Sequence, residues 1–135
     1  TCGAGPFFAP AEFGAAKLKE LAPIHAYSFP LEEYHHYRTQ KDGDVLFMVA
    51  GDQASHARAL ETAIMSHGCG GYCVALLPEG ETEIAQIVDA AWHLPKMAAS
   101  IAPIAYSAPL HLFGYHAAME RDAIGLGAPR LGIGK

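Results

Sequence analysis

Continuous apolar runs set the frame of this chain. Residues 45–50, Val-Leu-Phe-Met-Val-Ala, and residues 72–77, Tyr-Cys-Val-Ala-Leu-Leu, are unbroken apolar segments bounded by glycine, aspartate and proline turns. Short runs of that kind predict strands buried on both faces of a parallel sheet. Between them, from Gln53 to about Ser66, Ala57, Leu60, Ala63 and Ile64 recur at helical spacing and stop at the glycines around Cys69, so a helix is predicted there, capped by Gly51-Asp52. Upstream, a helix that includes residues 12–22 must end near Ala22, because Pro23 supplies no amide hydrogen and disfavours helical geometry before it. Residues 24–29 have the apolar and aromatic content of a strand, and Pro30 is expected to open a polar turn carrying Glu32, Glu33, His35 and His36. Downstream, residues 82–90 predict a short helical or irregular connection and residues 91–94 a last strand ended by Pro95. The longest helix is expected over residues 98–121, kinked near Pro109. The glycine-rich tail, residues 125–135, lacks periodicity and is expected to be irregular.

Strands alternating with helices, with no hairpin signal between them, predict an α/β fold: an open, mainly parallel, doubly wound sheet with flanking helices. Ligands of such sheets are expected beyond the carboxyl ends of the strands. Thr1-Cys2-Gly3-Ala4-Gly5-Pro6 reads as the truncated end of a strand entering a glycine turn and a helix. A dinucleotide fingerprint would need a third glycine where Phe8 stands, so a nicotinamide cofactor is not expected.

Composition narrows the function classes. The chain has 135 residues, enough for one domain with its own core, with 51% hydrophobic and 17% charged residues. A net charge of −5 with nine scattered basic residues argues against a nucleic-acid surface. No apolar run is long enough to span a membrane and no signal-peptide pattern opens the chain, so a cytoplasmic location is expected. Cys2, Cys69 and Cys73 form no C-x-x-C motif and read as small apolar residues in a reducing compartment. His35 and His36 are adjacent and His111 and His116 are five apart, so neither pair shares a helix face and no metal site follows.

One short stretch concentrates chemistry. Glu20 falls in the last turn of its helix, where the negative end of the helix dipole is expected to raise its pKa. Lys17, three residues earlier, projects from the same side in the less favourable order for a simple surface pair. A carboxylate, an amine and the imidazole of His36 are thus bracketed by one crossover. A base poised near neutrality and an imidazole that handles a hydroxyl proton suit proton transfer between adjacent carbons.

These residues carry a resemblance. Ala15-Ala16-Lys17-Leu18-Lys19-Glu20 followed by Ile24-His25-Ala26, then by Glu33 and His36, resembles the sugar isomerase (SIS) domain family, most closely the C-terminal half of the isomerase region of glucosamine-6-phosphate synthase. Residues 101–116 look like that family's last long helix, and Ala128-Pro129-Arg130 like its closing Pro-Arg signature. The resemblance implies the same fold and places Glu20 on the family's base, Lys17 on the lysine before it and His36 on its histidine. In the family the glutamate moves a proton between C1 and C2 of an open-chain phosphosugar while the histidine assists ring opening. Deglycases of the family use a similarly spaced pair to break the carbon–nitrogen bond of sugar–amine adducts.

Further implications follow for binding and assembly. Glu33 falls on the glutamate before the family's histidine, and His35 can exchange roles with His36. Tyr37-Arg38 stands where aminotransferring members read Gly-Pro, and Arg38 offers a guanidinium fork to a phosphate or carboxylate. Lys135 matches the family's Schiff-base lysine with a one-residue shift. No cofactor is implied. The family's Ser/Thr-rich phosphate loop has no counterpart here, so residues 1–135 are expected to be a single SIS domain, the C-terminal lobe of a longer two-lobed protein. The implied partners are a phosphorylated sugar or sugar–amine substrate, a preceding SIS lobe and a second copy of the chain. The expected function is a phosphosugar isomerase or 6-phosphofructosamine deglycase, with a non-catalytic sugar-phosphate sensor as the alternative.

Overall fold

The computed structural model describes residues 1–37 and 40–127. Among these residues five parallel strands, β1 (Cys2–Gly3), β2 (Phe29–Pro30), β3 (Val45–Val49), β4 (Tyr72–Pro78) and β5 (Ala90–Leu94), form one sheet in the order β2-β1-β3-β4-β5. Four helices cross over between or follow them: α1 (Phe8–Leu21), α2 (Leu31–Tyr37), α3 (His56–Gly68) and α4 (Ala102–Ala123). The sheet is the open, doubly wound one that the sequence predicts.

Alternation along the strands decides which helix covers which face, because successive side chains point to opposite sides. Phe47 and Val49 of β3 with Val74 and Leu76 of β4 face Ala11 of α1 and Ala102, Tyr106 and Leu110 of α4. Leu46 and Met48 with Cys73, Ala75 and Leu77 face Leu31 and Tyr34 of α2 and Ala59 and Ala63 of α3. The helix pairs α1/α4 and α2/α3 therefore lie on opposite faces of the sheet.

Several boundaries differ from those read off the sequence. The strand expected over residues 24–29 shrinks to Phe29–Pro30 at the sheet edge, where Pro30 needs no ladder donor on its outer side. The polar turn expected after Pro30 is helix α2, with Glu32 and Glu33 in its first turn and His35 and His36 in its last, signs that suit the helix dipole. α1 begins at Phe8, preceded by a 3-10 turn over Gly5–Phe7, and ends as expected with the Ala22 amide bonded to Leu18. α4 starts four residues late, at Ala102, which moves Pro103 into its first turn and leaves only Pro109 inside.

Two glycines let the β1 turn close. A Cβ on Gly3 would lie 2.4 Å from the Phe7 carbonyl oxygen, and one on Gly51 would lie 2.0 Å from the Phe7 ring. Phe7 is thereby locked between the loops that leave β1 and β3.

Burial separates the cysteines. Cys2 and Cys73 are enclosed, and desolvation pushes both thiols up to about 12, whereas Cys69 is exposed. Because the thiolate is the reactive form, Ellman's reagent at neutral pH should modify Cys69 alone in the native protein and all three cysteines after unfolding.

Candidate functional site

Lys17 and Glu20 sit on the last two turns of α1, which starts at the carboxyl edge of the sheet and runs back toward the amino edge. Glu20 is exposed, and its Oε2 accepts a 2.6 Å hydrogen bond from the Lys17 Nζ. That bond and the ammonium charge hold the Glu20 carboxyl below its ordinary value, with a smaller contribution from His111. The upward shift expected from the helix end is overturned: a full charge in contact outweighs the partial charge of the dipole.

α1 and α4 pack closely here. A Cβ on Gly114 of α4 would lie 3.3 Å from the Lys17 Cβ, and Gly14 of α1 is as tight against Leu110. The Lys17 Nζ also lies 5.3 Å from the centroid of the Phe13 ring, which meets the His111 imidazole edge-on at 5.8 Å. His111 therefore joins Lys17 and Glu20 in one cluster. The sequence considered it only as a metal ligand, since nothing local marks it as a neighbour of a residue ninety positions away.

The histidines of α2 lie on the other face. The His35 ring bonds Thr62 Oγ1 of α3 at 2.8 Å, which ties α2 to α3, and burial lowers its pKa, helped by Arg58. His36 projects into solvent, 4.0 Å from Glu32. Glu33 is half-buried on the same short helix. Within one chain the structure joins Lys17 to Glu20 and separates both from His36. Arg38, Lys135 and the Ala128-Pro129-Arg130 segment lie outside the described residues.

The sheet carries a second concavity where open α/β sheets usually hold ligands, beyond the carboxyl ends of β3, β4 and β5. It is a cleft of about 560 Å³ between the loops after those strands and the start of α4. Glu81 organises its rim. Its carboxylate accepts the amides of Glu83, Ile84 and Ala85 and meets the His56 Nε2 at 3.2 Å. Desolvation alone would raise the Glu81 pKa, but the backbone and His56 bonds outweigh it and the net shift is downward. A depressed carboxyl adds stability above its unfolded-state pKa, and that stability is lost as pH falls through the folded value. Thermal unfolding should therefore show a destabilisation below about pH 4.5 that is weaker in Glu81→Gln.

Sequence comparison finds relatives for this arrangement, although no family model matches the chain. Glutamine–fructose-6-phosphate aminotransferase (isomerizing) of Chlorobaculum tepidum is 30% identical over 122 residues, 88% of this chain. The enzyme of the same name from Caldanaerobacter subterraneus is 27% identical over 121 residues, again 88% of the chain. The chain spans 20% of the length of each. Among solved structures, the C-terminal domain of glucosamine-fructose-6-phosphate aminotransferase from Francisella tularensis superposes with a TM-score of 0.80 at 24% identity, covering 90% of this chain and 35% of that one. The chain is a domain of the sugar isomerase (SIS) type.

The SIS domain places its two candidate regions at opposite ends of one sheet. The cleft opens at the carboxyl edge, and Lys17 and Glu20 stand toward the amino edge on α1. The sequence expectation that ligands gather at the carboxyl ends and the expectation that Glu20 acts on a sugar thus concern different places. Among the described residues no group of three or more His, Cys, Asp or Glu side chains is placed to hold a metal ion, and no helix is long and apolar enough to cross a membrane.

Proposed function

We propose that this SIS domain contributes the proton-transfer base of a phosphosugar-processing enzyme. Glu20 takes a proton from one of two adjacent carbons, C1 and C2, of an open-chain 6-phosphosugar or sugar–amine adduct and returns it to the other. The observation that carries this reading is the Lys17–Glu20 pair at the end of α1, at the positions the family resemblance assigns to the base and its lysine. Lys17 fixes the carboxylate orientation. When a preceding lobe covers α1, desolvation raises the Glu20 pKa toward the range a general base needs.

His36 completes the site from a second copy of the chain, because α2 and α1 lie on opposite faces of the sheet. His111, close enough to Glu20 to influence its charge, supplies an imidazole in the same chain. Arg38, Glu33 and Lys135 remain candidates for substrate binding, and His35 serves mainly to hold α2 against α3. The reaction is either ketose/aldose isomerisation or cleavage of a 6-phosphofructosamine adduct in the cytoplasm.

Proton NMR in heavy water separates these outcomes, using the full-length protein that contains this domain. Fructose 6-phosphate should lose its C1 proton signal by exchange if the protein is an isomerase. Release of free amine from 6-phosphofructosamine adducts identifies the deglycase. Binding of both sugars with neither reaction would replace the catalytic reading with that of a sensor.

A further inference from the structure

The carboxyl-edge cleft carries an observation that the proposed chemistry at α1 does not use. Tyr106 of α4 lines it, is 2% exposed, and has a ring clamped edge-on against Phe7 at 5.1 Å. Burial raises its pKa, so the phenol is protonated at neutral pH. Its hydroxyl has no hydrogen-bond partner among the described residues and is not sealed from solvent, on a side chain that lines the cleft. A hydroxyl that reaches solvent without a protein partner is free to pair with a ligand group at hydrogen-bond distance.

The charge around the cleft selects the ligand class. Asp52, Glu79, Glu81 and Glu83 line it against the single ammonium of Lys96 and the imidazole of His56. Glu81 is saturated by three backbone amides and His56, and one oxygen of Asp52 is occupied by the amide and hydroxyl of Ser55. The other Asp52 oxygen, Glu79 and most of Glu83 remain free to accept. A phosphate would meet net negative charge, whereas an amine with neighbouring hydroxyls would meet acceptors and the Tyr106 hydroxyl.

We propose that this cleft is a second ligand site of the domain, separate from Glu20, which takes an unphosphorylated amine-bearing polyol such as an amino sugar. The amine lies among Asp52, Glu79 and Glu83. A sugar hydroxyl pairs with Tyr106, and the apolar floor formed by Met97 and Ala102 packs against the ring's carbon face.

Titration of the protein with glucosamine, glucose and glucose 6-phosphate, followed by amide chemical shifts of Gly51, Gly80 and Glu81, tests this. Glucosamine should shift these amides saturably, glucose more weakly and glucose 6-phosphate least. Tyr106→Phe should weaken glucosamine binding about tenfold, the size of one good hydrogen bond to a buried group, with unchanged thermal stability. Tighter binding of glucose 6-phosphate than glucosamine, absence of saturable shifts at these amides, or an unaltered affinity in Tyr106→Phe would each overturn the proposal. None of these outcomes depends on activity at Glu20.

Discussion

Replacing Glu20 with glutamine is expected to leave the SIS domain folded and to slow C1 proton exchange by roughly 10²–10⁴-fold, the usual contribution of a general base. The fold is preserved because the side chain is 61% exposed and, among the described residues, its hydrogen-bond partner is Lys17 on the same helix. The neutral amide is isosteric with the carboxylate but accepts no proton. A complementary change acts through charge. Lys17→Met removes the ammonium that holds the Glu20 carboxyl low, so the acid limb of the pH–rate profile should move to higher pH. An unchanged limb would mean that Lys17 does not set the ionisation of the base.

The second large effect concerns stability. Phe7 is 2% exposed, and its ring fills the gap beside Gly51 while clamping Tyr106 of α4. Its replacement by alanine opens a cavity where the loops after β1 and β3 meet α4. The expected loss is about 3–5 kcal/mol, as for other buried aromatics. Chemical denaturation measures it directly. A loss below about 1 kcal/mol would mean that the loops collapse onto the space, and the cleft would then change shape with them.

How much the sequence disclosed depends on how local the determinants are. β3 and β4 were legible because their apolar runs need both faces of the sheet covered, and α3 because its small apolar residues repeat at helical spacing. The extent of β2 was not, since an edge strand two residues long leaves no alternation from which to read its bounds. α2 differs from the expected polar turn because Pro30 followed by Glu32 and Glu33 suits a turn and a helix start alike, and the burial of Leu31 and Tyr34 decides for the helix. The Lys17–Glu20 pair was legible from spacing alone. The direction of its pKa shift was not, because it turned on whether the lysine makes contact. Tyr106 and His111 were invisible as site residues: the first depends on the packing of Phe7, the second on how α4 crosses α1.

The central claim is that one copy supplies Lys17 and Glu20 while another supplies His36. Mixing two inactive variants of the full-length protein, Glu20→Gln and His36→Ala, under conditions that exchange subunits tests it most directly. If the site is shared, half the dimers are mixed, each holds one intact site, and C1 proton exchange should return to about one quarter of the wild-type rate. A mixture no more active than either variant alone would contradict the claim.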